Sequence, residues 1–587
     1  MGQCALESAQ NEQSVDAVGT ARVLHAQCDP PTSATPVEST GVKDSLPTQP
    51  RAGAPSALTR ALHALRPSHA HSAFSATVVL MASVFLSRII GLVRVKYIAW
   101  LLGSGMKADA LNAAFVLPDM ISYFLVGGAA SITFVTILTR YRETGREKEG
   151  ERSLSVILTT MYLVLGAAIV LGEILAPLFV SLQFNGFDAE KAALCVKLTR
   201  ILLPAQLFFF AGGVFGAVLL VRKQFTVQAV SPLIYNLGTI VGGLLLVKQF
   251  DVSSLAIGTV AGAFFGPFFL NWLFARRAGA HYRPILDWHD EGLREWVRLS
   301  LPLMAGVSLV TADNWIIAHF ASKIGGAVSE FNYAKQFFTA PMAVLAQAAG
   351  AASMPFFASL WAKQSRFEFA GVVADSVSRV SCMGLLAASG MIALGKPAID
   401  LVFTGGRFTA SDASQCAAYF AVFSISLFLW SAQAIYSRAF YAAGNTIVPM
   451  AAGTIVTVVS LPIYVGLFHA FGAMGLAFAS DIGIAMQTLA IAGLLHRRHM
   501  VSLASLDYRE LGRCVAAALT GGAVTWIVFS WMAGELIQRM HLAGHRRLND
   551  GVVLVAGGLL WAAVSMAVLK RTGSELPQVM MKRLRLA

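Results

Sequence analysis

Three basic residues stand close together in one otherwise apolar stretch, Ser87-Arg88-Ile89-Ile90-Gly91-Leu92-Val93-Arg94-Val95-Lys96. Where the surroundings are lipid, an ionised side chain costs at least ~2.5 kcal/mol, so it faces a cavity or a partner. A guanidinium presents a planar fork that bonds two oxygens at once, which suits a phosphate. Six helical residues turn through about 600°, so Arg88 and Arg94 lie ~120° apart and both reach one wide cavity. A second reading is open for Arg94 and Lys96, whose long side chains also suit snorkelling to a membrane interface. Lys335 and Gln336 open a later apolar helix, and Asp313 sits inside the one before it as a candidate partner for a cavity cation. Asp109, with Asn112, begins the second helix, where it also suits a capping role. These seven residues, Arg88, Arg94, Lys96, Asp109, Asp313, Lys335 and Gln336, are the candidate binding residues. Glu173 and Asp481 are further carboxylates in apolar helices with no role assigned.

The motifs of bond-making chemistry are missing. There is no GxxxxGK[ST] phosphate loop, no HExxH and no GxSxG, so the chain reads as a binding protein with no catalytic residue. The six cysteines, Cys4, Cys28, Cys195, Cys382, Cys416 and Cys514, are scattered, which predicts neither a disulfide framework nor a metal site. No cofactor is expected; a monovalent cation or the membrane potential is left as the source of coupling.

The elements that must position these residues are read from apolar runs. Of 587 residues 56% are hydrophobic and 13% charged, and the mean hydropathy is +0.63. Soluble proteins carry nearer about 25% charged residues, so lipid is the solvent for most of the chain. Runs of roughly 20 apolar residues, enough to cross ~30 Å of hydrocarbon, recur from Phe74 onward. They predict an all-α membrane protein of about fourteen transmembrane helices, near 74–93, 110–139, 154–182, 198–221, 226–247, 254–274, 298–320, 332–360, 372–403, 416–442, 448–469, 473–495, 512–533 and 551–569.

The net charge of +13 falls mostly in short loops on one side, at residues 140–148, 222–223, 276–298, 497–513 and 582–585. That distribution explains the basicity by topology rather than by nucleic-acid binding, and the positive-inside rule puts both termini in the cytoplasm. Arg539, Arg546 and Arg547 run against it. Residues 1–72, rich in Ala, Ser, Thr, Pro and Gln, read as a disordered cytoplasmic tail. The stretch Gly127-Gly128-Ala129-Ala130-Ser131-Ile132-Thr133-Phe134 echoes Ala349-Gly350-Ala351-Ala352-Ser353-Met354-Pro355-Phe356. Six helices separate the two copies, an even number, as in transporters built from parallel repeats. The expected organisation is a tail (1–72), an N-lobe (73–277), a C-lobe (278–500) and a final helix pair with a basic tail (501–587).

The stretch from Ser87 to Leu138 resembles the opening of the MurJ (MviN) family of lipid II flippases. The likeness continues through Gln224-Phe225-Thr226, Ser231 to Asn236, Phe331-Asn332-Tyr333-Ala334-Lys335, Gly405-Gly406-Arg407-Phe408-Thr409 and Arg438 to Thr446 with Pro449, over about residues 74–570. The resemblance implies a two-lobed exporter fold with a central cationic cavity and a lipid groove near the last two helices, and it puts Arg88, Arg94 and Asp109 in or near the cavity. Departures accompany it. Ser122-Tyr123 stands where the family usually has an Arg pair, Lys335-Gln336 where it has Asp-Arg, and Val95 where an acid often follows Arg94. The family's Asp in helix seven falls at Ile317, one turn after Asp313, which leaves a sodium site like that of relatives an open question.

The expected function is therefore flipping of lipid II, the undecaprenyl-pyrophosphate sugar precursor of peptidoglycan, across the bacterial cytoplasmic membrane by alternating access. Its expected partners are this anionic lipid-linked glycan, the bilayer and cell-wall enzymes. The alternatives are a flippase for an O-antigen or capsule-type lipid, or a transport-dead scaffold for those enzymes.

Overall fold

The computed structural model describes residues 73–126, 134, 137–222, 224–305, 309–539 and 546–578. The expected tail 1–72, the basic end 582–585 and most of the first echo copy, 127–133, lie outside the described residues. Within them every named element is a helix, and nine are long and apolar enough to cross a membrane. The pair Ala410–Ile425 and Leu427–Ala442, bent by 45°, meets the same test when taken together, which makes ten among the described residues if the pair is one span. The helix Ile447–Arg497 breaks at Gly472 (φ 58°, ψ −138°), which separates the two spans expected at 448–469 and 473–495. Leu171, Ile174, Leu182, Leu245 and Leu559 stand exposed on helix surfaces. Faces of this kind are matched by acyl chains.

Consecutive spans run in opposite directions, so the connections at 103–105, 184–188, 251–252, 322–326 and 404–409 fall at one end of the bundle. The connections carrying Arg142, Arg146, Arg222, Arg283, Arg366 and Arg498 fall at the other. The core is divided in the same way. At the first end one apolar cluster joins Leu102, Leu111 and Phe184, from the first half of the chain, to Phe331, Tyr333, Phe403 and Phe408 from the second. At the basic end there are two clusters. One is built on Phe134, Tyr141, Leu154 and Phe215 with Leu293 and Trp296, the other on Phe357, Phe369, Ile435, Tyr436 and Leu495. The halves thus share one large core at the first end, while at the basic end the clusters are separate and the first half's cluster is completed by Leu293 and Trp296 of the second.

Small residues set the closest helix contacts. A Cβ on Gly238 or Gly242, in Phe225–Phe250, would collide with the backbone at Gly262 or Gly258 in the next helix. Two such pairs let the backbones touch, as glycine at four-residue spacing does in membranes. Three stretches are π-helical: Ser122–Val126, Phe264–Leu270 and Ala343–Gln347. The first ends immediately before Gly127 and the third two residues before Ala349, so both echo segments follow a π-turn at nearly the same offset.

Candidate functional site

Beneath the shared core lies a cavity of about 620 Å³ whose wall comes from both halves of the chain. The first half contributes Asn112, Asp119, Ser122 and Tyr123, and the second Asp313, Asn314, Lys335 and Gln336. Ser122 and Tyr123 begin the π-helical turn that follows Pro118. Tyr123 meets Trp315 edge-on, with ring centroids 5.7 Å apart, so an aromatic contact stands where relatives usually carry arginines.

The seven candidates fall into three places. Asp313, Lys335 and Gln336 line the cavity. Lys335 Nζ donates to Asp313 Oδ2 at 2.5 Å and to Asn314 Oδ1 at 2.8 Å. The Asp313 carboxylate also accepts from the Tyr464 hydroxyl and, at 2.9 Å, from Ser480 Oγ. Four spans meet at this carboxylate.

Arg88, Arg94 and Lys96 lie outside the cavity lining, on Ala73–Leu102. Arg88 is exposed, and its Nη2 is 3.5 Å from Gln347 Oε1 of the second half. Arg94 is half-buried, with its guanidinium 5.6 Å from the Tyr235 ring centre and its charge acting on Asp119 in the cavity wall. Its Nε is buried without a hydrogen-bond partner among the described residues. Lys96 is half-buried.

Asp109 is fully buried between the halves, in the shared core. It caps a helix other than its own. The carboxylate accepts from the backbone N–H groups of Gly326 (2.8 Å) and Ser329 (3.0 Å) and from Ser329 Oγ (2.8 Å), at the start of Ala327–Met342. The positive end of that helix dipole faces the carboxylate. Lys191, itself buried, pairs with it at 3.3 Å. Around this cap the halves are stitched by Tyr333 Oη to Gly103 O (3.0 Å), Ser104 Oγ to Asp412 Oδ1 (2.7 Å) and Arg407 N–H to Trp100 O (2.9 Å). Gln183 Nε2 donates to Trp315 O at 2.8 Å, and His319 Nδ1 to Gln183 O at 2.9 Å. Together these bonds close the cavity at the end opposite the basic loops.

Two residues of this arrangement escape a reading of the sequence. Asp119 follows Pro118 inside an apolar helix, and its position at membrane depth is the signal that marks it. Lys191 lies three residues after the N-cap Asp188, where it looks like an ordinary first-turn residue; only the fold brings it to Asp109.

The arrangement is a chamber walled by both halves, in which the lining cation, Lys335, is paired with Asp313, and among the described lining residues no nucleophile is aligned with a base. Residues 98–545 match the family model described as lipid II flippase MurJ. A probable lipid II flippase MurJ of Haemophilus influenzae is 27% identical over 489 residues, covering 78% of this chain and 93% of the relative. One from Vibrio cholerae is 25% identical over 480 residues, covering 79% and 91%. A solved structure titled lipid II flippase MurJ, inward closed conformation, superposes with a TM-score of 0.68 at 19% identity, covering 84% of this chain and 99% of that one. It is similar in fold.

Proposed function

The chain belongs to the lipid II flippase MurJ family, and on that premise we propose that it carries lipid II across the bacterial cytoplasmic membrane. The observation that carries this reading is a chamber walled by polar side chains of both halves, beneath a core that the halves share. The function is transport without catalysis: the headgroup changes sides and no bond is broken.

Residues 73–277 and 278–500 act as two lobes, residues 501–587 add a helix pair and a tail, and both termini are cytoplasmic. The basic end faces the cytoplasm and admits the diphosphate and sugars while the polyprenyl tail stays in lipid. With ~1.5 Å of rise per residue, Arg94 and Lys335 each lie ~12 Å from the sealed ends of their helices and Arg88 ~21 Å from its own. On this reading an entering diphosphate meets Arg88 first and then Arg94, with Lys96 nearby, and reaches Gln336 and the Asp313-paired Lys335 in the cavity wall, while Asp109 stays buried in the seal. Release of the Asp109 cap and its companion hydrogen bonds lets the lobes rock open on the other side. An interior-negative potential favours outward movement of a negative headgroup by about 2.3 kcal/mol per charge per 100 mV. The tail, 1–72, is the segment through which cell-wall enzymes would be recruited. Because Ser122-Tyr123 and Lys335-Gln336 replace arginines usual in relatives, a different polyprenyl-diphosphate sugar is the second reading.

Two experiments test this. Expression in cells depleted of their own lipid II flippase restores growth if lipid II is the substrate, and fails if another glycan is. In vesicles, Arg88→Ala and Arg94→Ala each slow headgroup exposure by about tenfold, the loss of one charged hydrogen bond; undiminished rates in both variants reject these cations as substrate contacts.

A further inference from the structure

We infer that the oxygen cluster around Asp313 is a monovalent-cation position that this chain fills with its own Lys335 ammonium, so that its transport cycle needs no bound sodium. The resemblance raises a sodium site in the second half, and the residues present do not fit one. Asp313, Tyr464 and Ser480, all buried, bring oxygens from three spans together, and the exposed Asn314 adds one on the cavity side. Oxygen ligands around one carboxylate are what a small hard cation takes. The place is taken. Lys335 reaches it from a fourth span, and each of its three donors has somewhere to go: Asp313 Oδ2 at 2.5 Å, Asn314 Oδ1 at 2.8 Å and the face of Phe423, whose centre is 5.4 Å away.

Charge gives the same answer as space. Asp313 and Lys335 together are neutral, the remaining Asp313 lone pairs are met by Tyr464 and Ser480, and the neighbouring Asp481 carboxylate lies close enough to feel both charges, so the ammonium serves two carboxylates. A sodium ion would have to displace the ammonium from both oxygens and leave it next to a like charge. Without the ammonium, by contrast, a buried carboxylate remains with three neutral oxygen groups around it and nothing to balance it. The geometry therefore assigns Lys335 as a tethered counter-ion, a positioning residue that ties its helix to Asp313 in the way a bound ion would.

This inference rests on the fold and not on the identity of the substrate, and its main readout is independent of transport. The unfolding midpoint of the purified full-length chain is measured in sodium chloride against choline chloride at equal concentration. The wild type is expected to unfold at the same temperature in both. Lys335→Met is expected to gain a saturable, sodium-specific rise of a few degrees, which Asp313→Asn in the same chain removes. A saturable sodium-specific rise in the wild type that Asp313→Asn abolishes overturns the inference, as does a folded Lys335→Met with no sodium response. Should Lys335→Met not fold in either salt, the wild type compared with Asp313→Asn decides alone: no sodium-specific shift supports the tethered cation, and a saturable one refutes it.

Discussion

Removing the Asp109 carboxylate leaves the buried Lys191 without a counter-charge and two backbone N–H groups of another helix without an acceptor. Breaking a buried pair in this way costs about 3–5 kcal/mol. Asp109→Ala is expected to lower the unfolding midpoint markedly, while Asp109→Asn, which keeps an acceptor, loses less. Equal midpoints for the wild type and Asp109→Ala would contradict the role given to this cap. At this scale the sequence is informative about which residues are unusual and silent about whom they meet. Asp313 and Lys335 stand out because a charge in an apolar run is costly, yet nothing in their spacing names Tyr464 or Ser480. Asp109 reads equally well as a cap for its own helix, whereas the groups it caps, at Gly326 and Ser329, lie more than two hundred positions away.

The hairpin after Arg366–Phe403 depends on backbone that only glycine supplies cheaply. Gly406 has φ +61°, and a Cβ there would collide with the Trp100 carbonyl oxygen, the acceptor of the Arg407 N–H bond across the seal. Gly406→Ala should loosen the seal, read as faster labelling of a cysteine placed at Ser104 by a membrane-impermeant thiol reagent; unchanged labelling would count against it. Gly472, at φ +58°, permits the reversal between two spans. Gly472→Ala is expected to cost about 1–2 kcal/mol, the penalty for a side chain in the left-handed region, seen as a lower unfolding midpoint. Helix positions were largely legible because apolar length is a local property. Helix shape was not. The bend at Ser426, the break at Leu203-Pro204 and the three π-turns depend on which neighbour accepts the freed backbone groups, and hydropathy carries no angle.

On the scale of the whole chain, the arrangement is two halves joined by one large core at one end and, at the other, by Leu293 and Trp296 packed on the first half's cluster. A hinge of that form closes one side of a cavity by default, and alternating access requires only that the closed side can exchange. The basic loops foretold which connections share an end, since topology leaves a charge signature. The echo between 127–134 and 349–356 is an expectation of paired helices, and most of its first copy lies outside the described residues. Neither could foretell the cavity, which forms where Tyr123, Trp315 and the Asp313 node fail to fill the space between the halves. Oxidising a cysteine pair at positions 104 and 412, whose side chains now hydrogen-bond, should hold the seal shut and stop transport, with reductant restoring it. Transport that continues after cross-linking would separate the seal from the cycle.

The central claim is tested most directly by reconstituting the purified chain in vesicles that contain lipid II and following headgroup access to an impermeant probe outside. The account predicts that access to the inner-leaflet pool grows with time in vesicles holding the wild type and stays at the level of protein-free vesicles when Arg88 and Arg94 are both replaced by alanine. A folded wild-type chain that exposes no more headgroup than empty vesicles would contradict it.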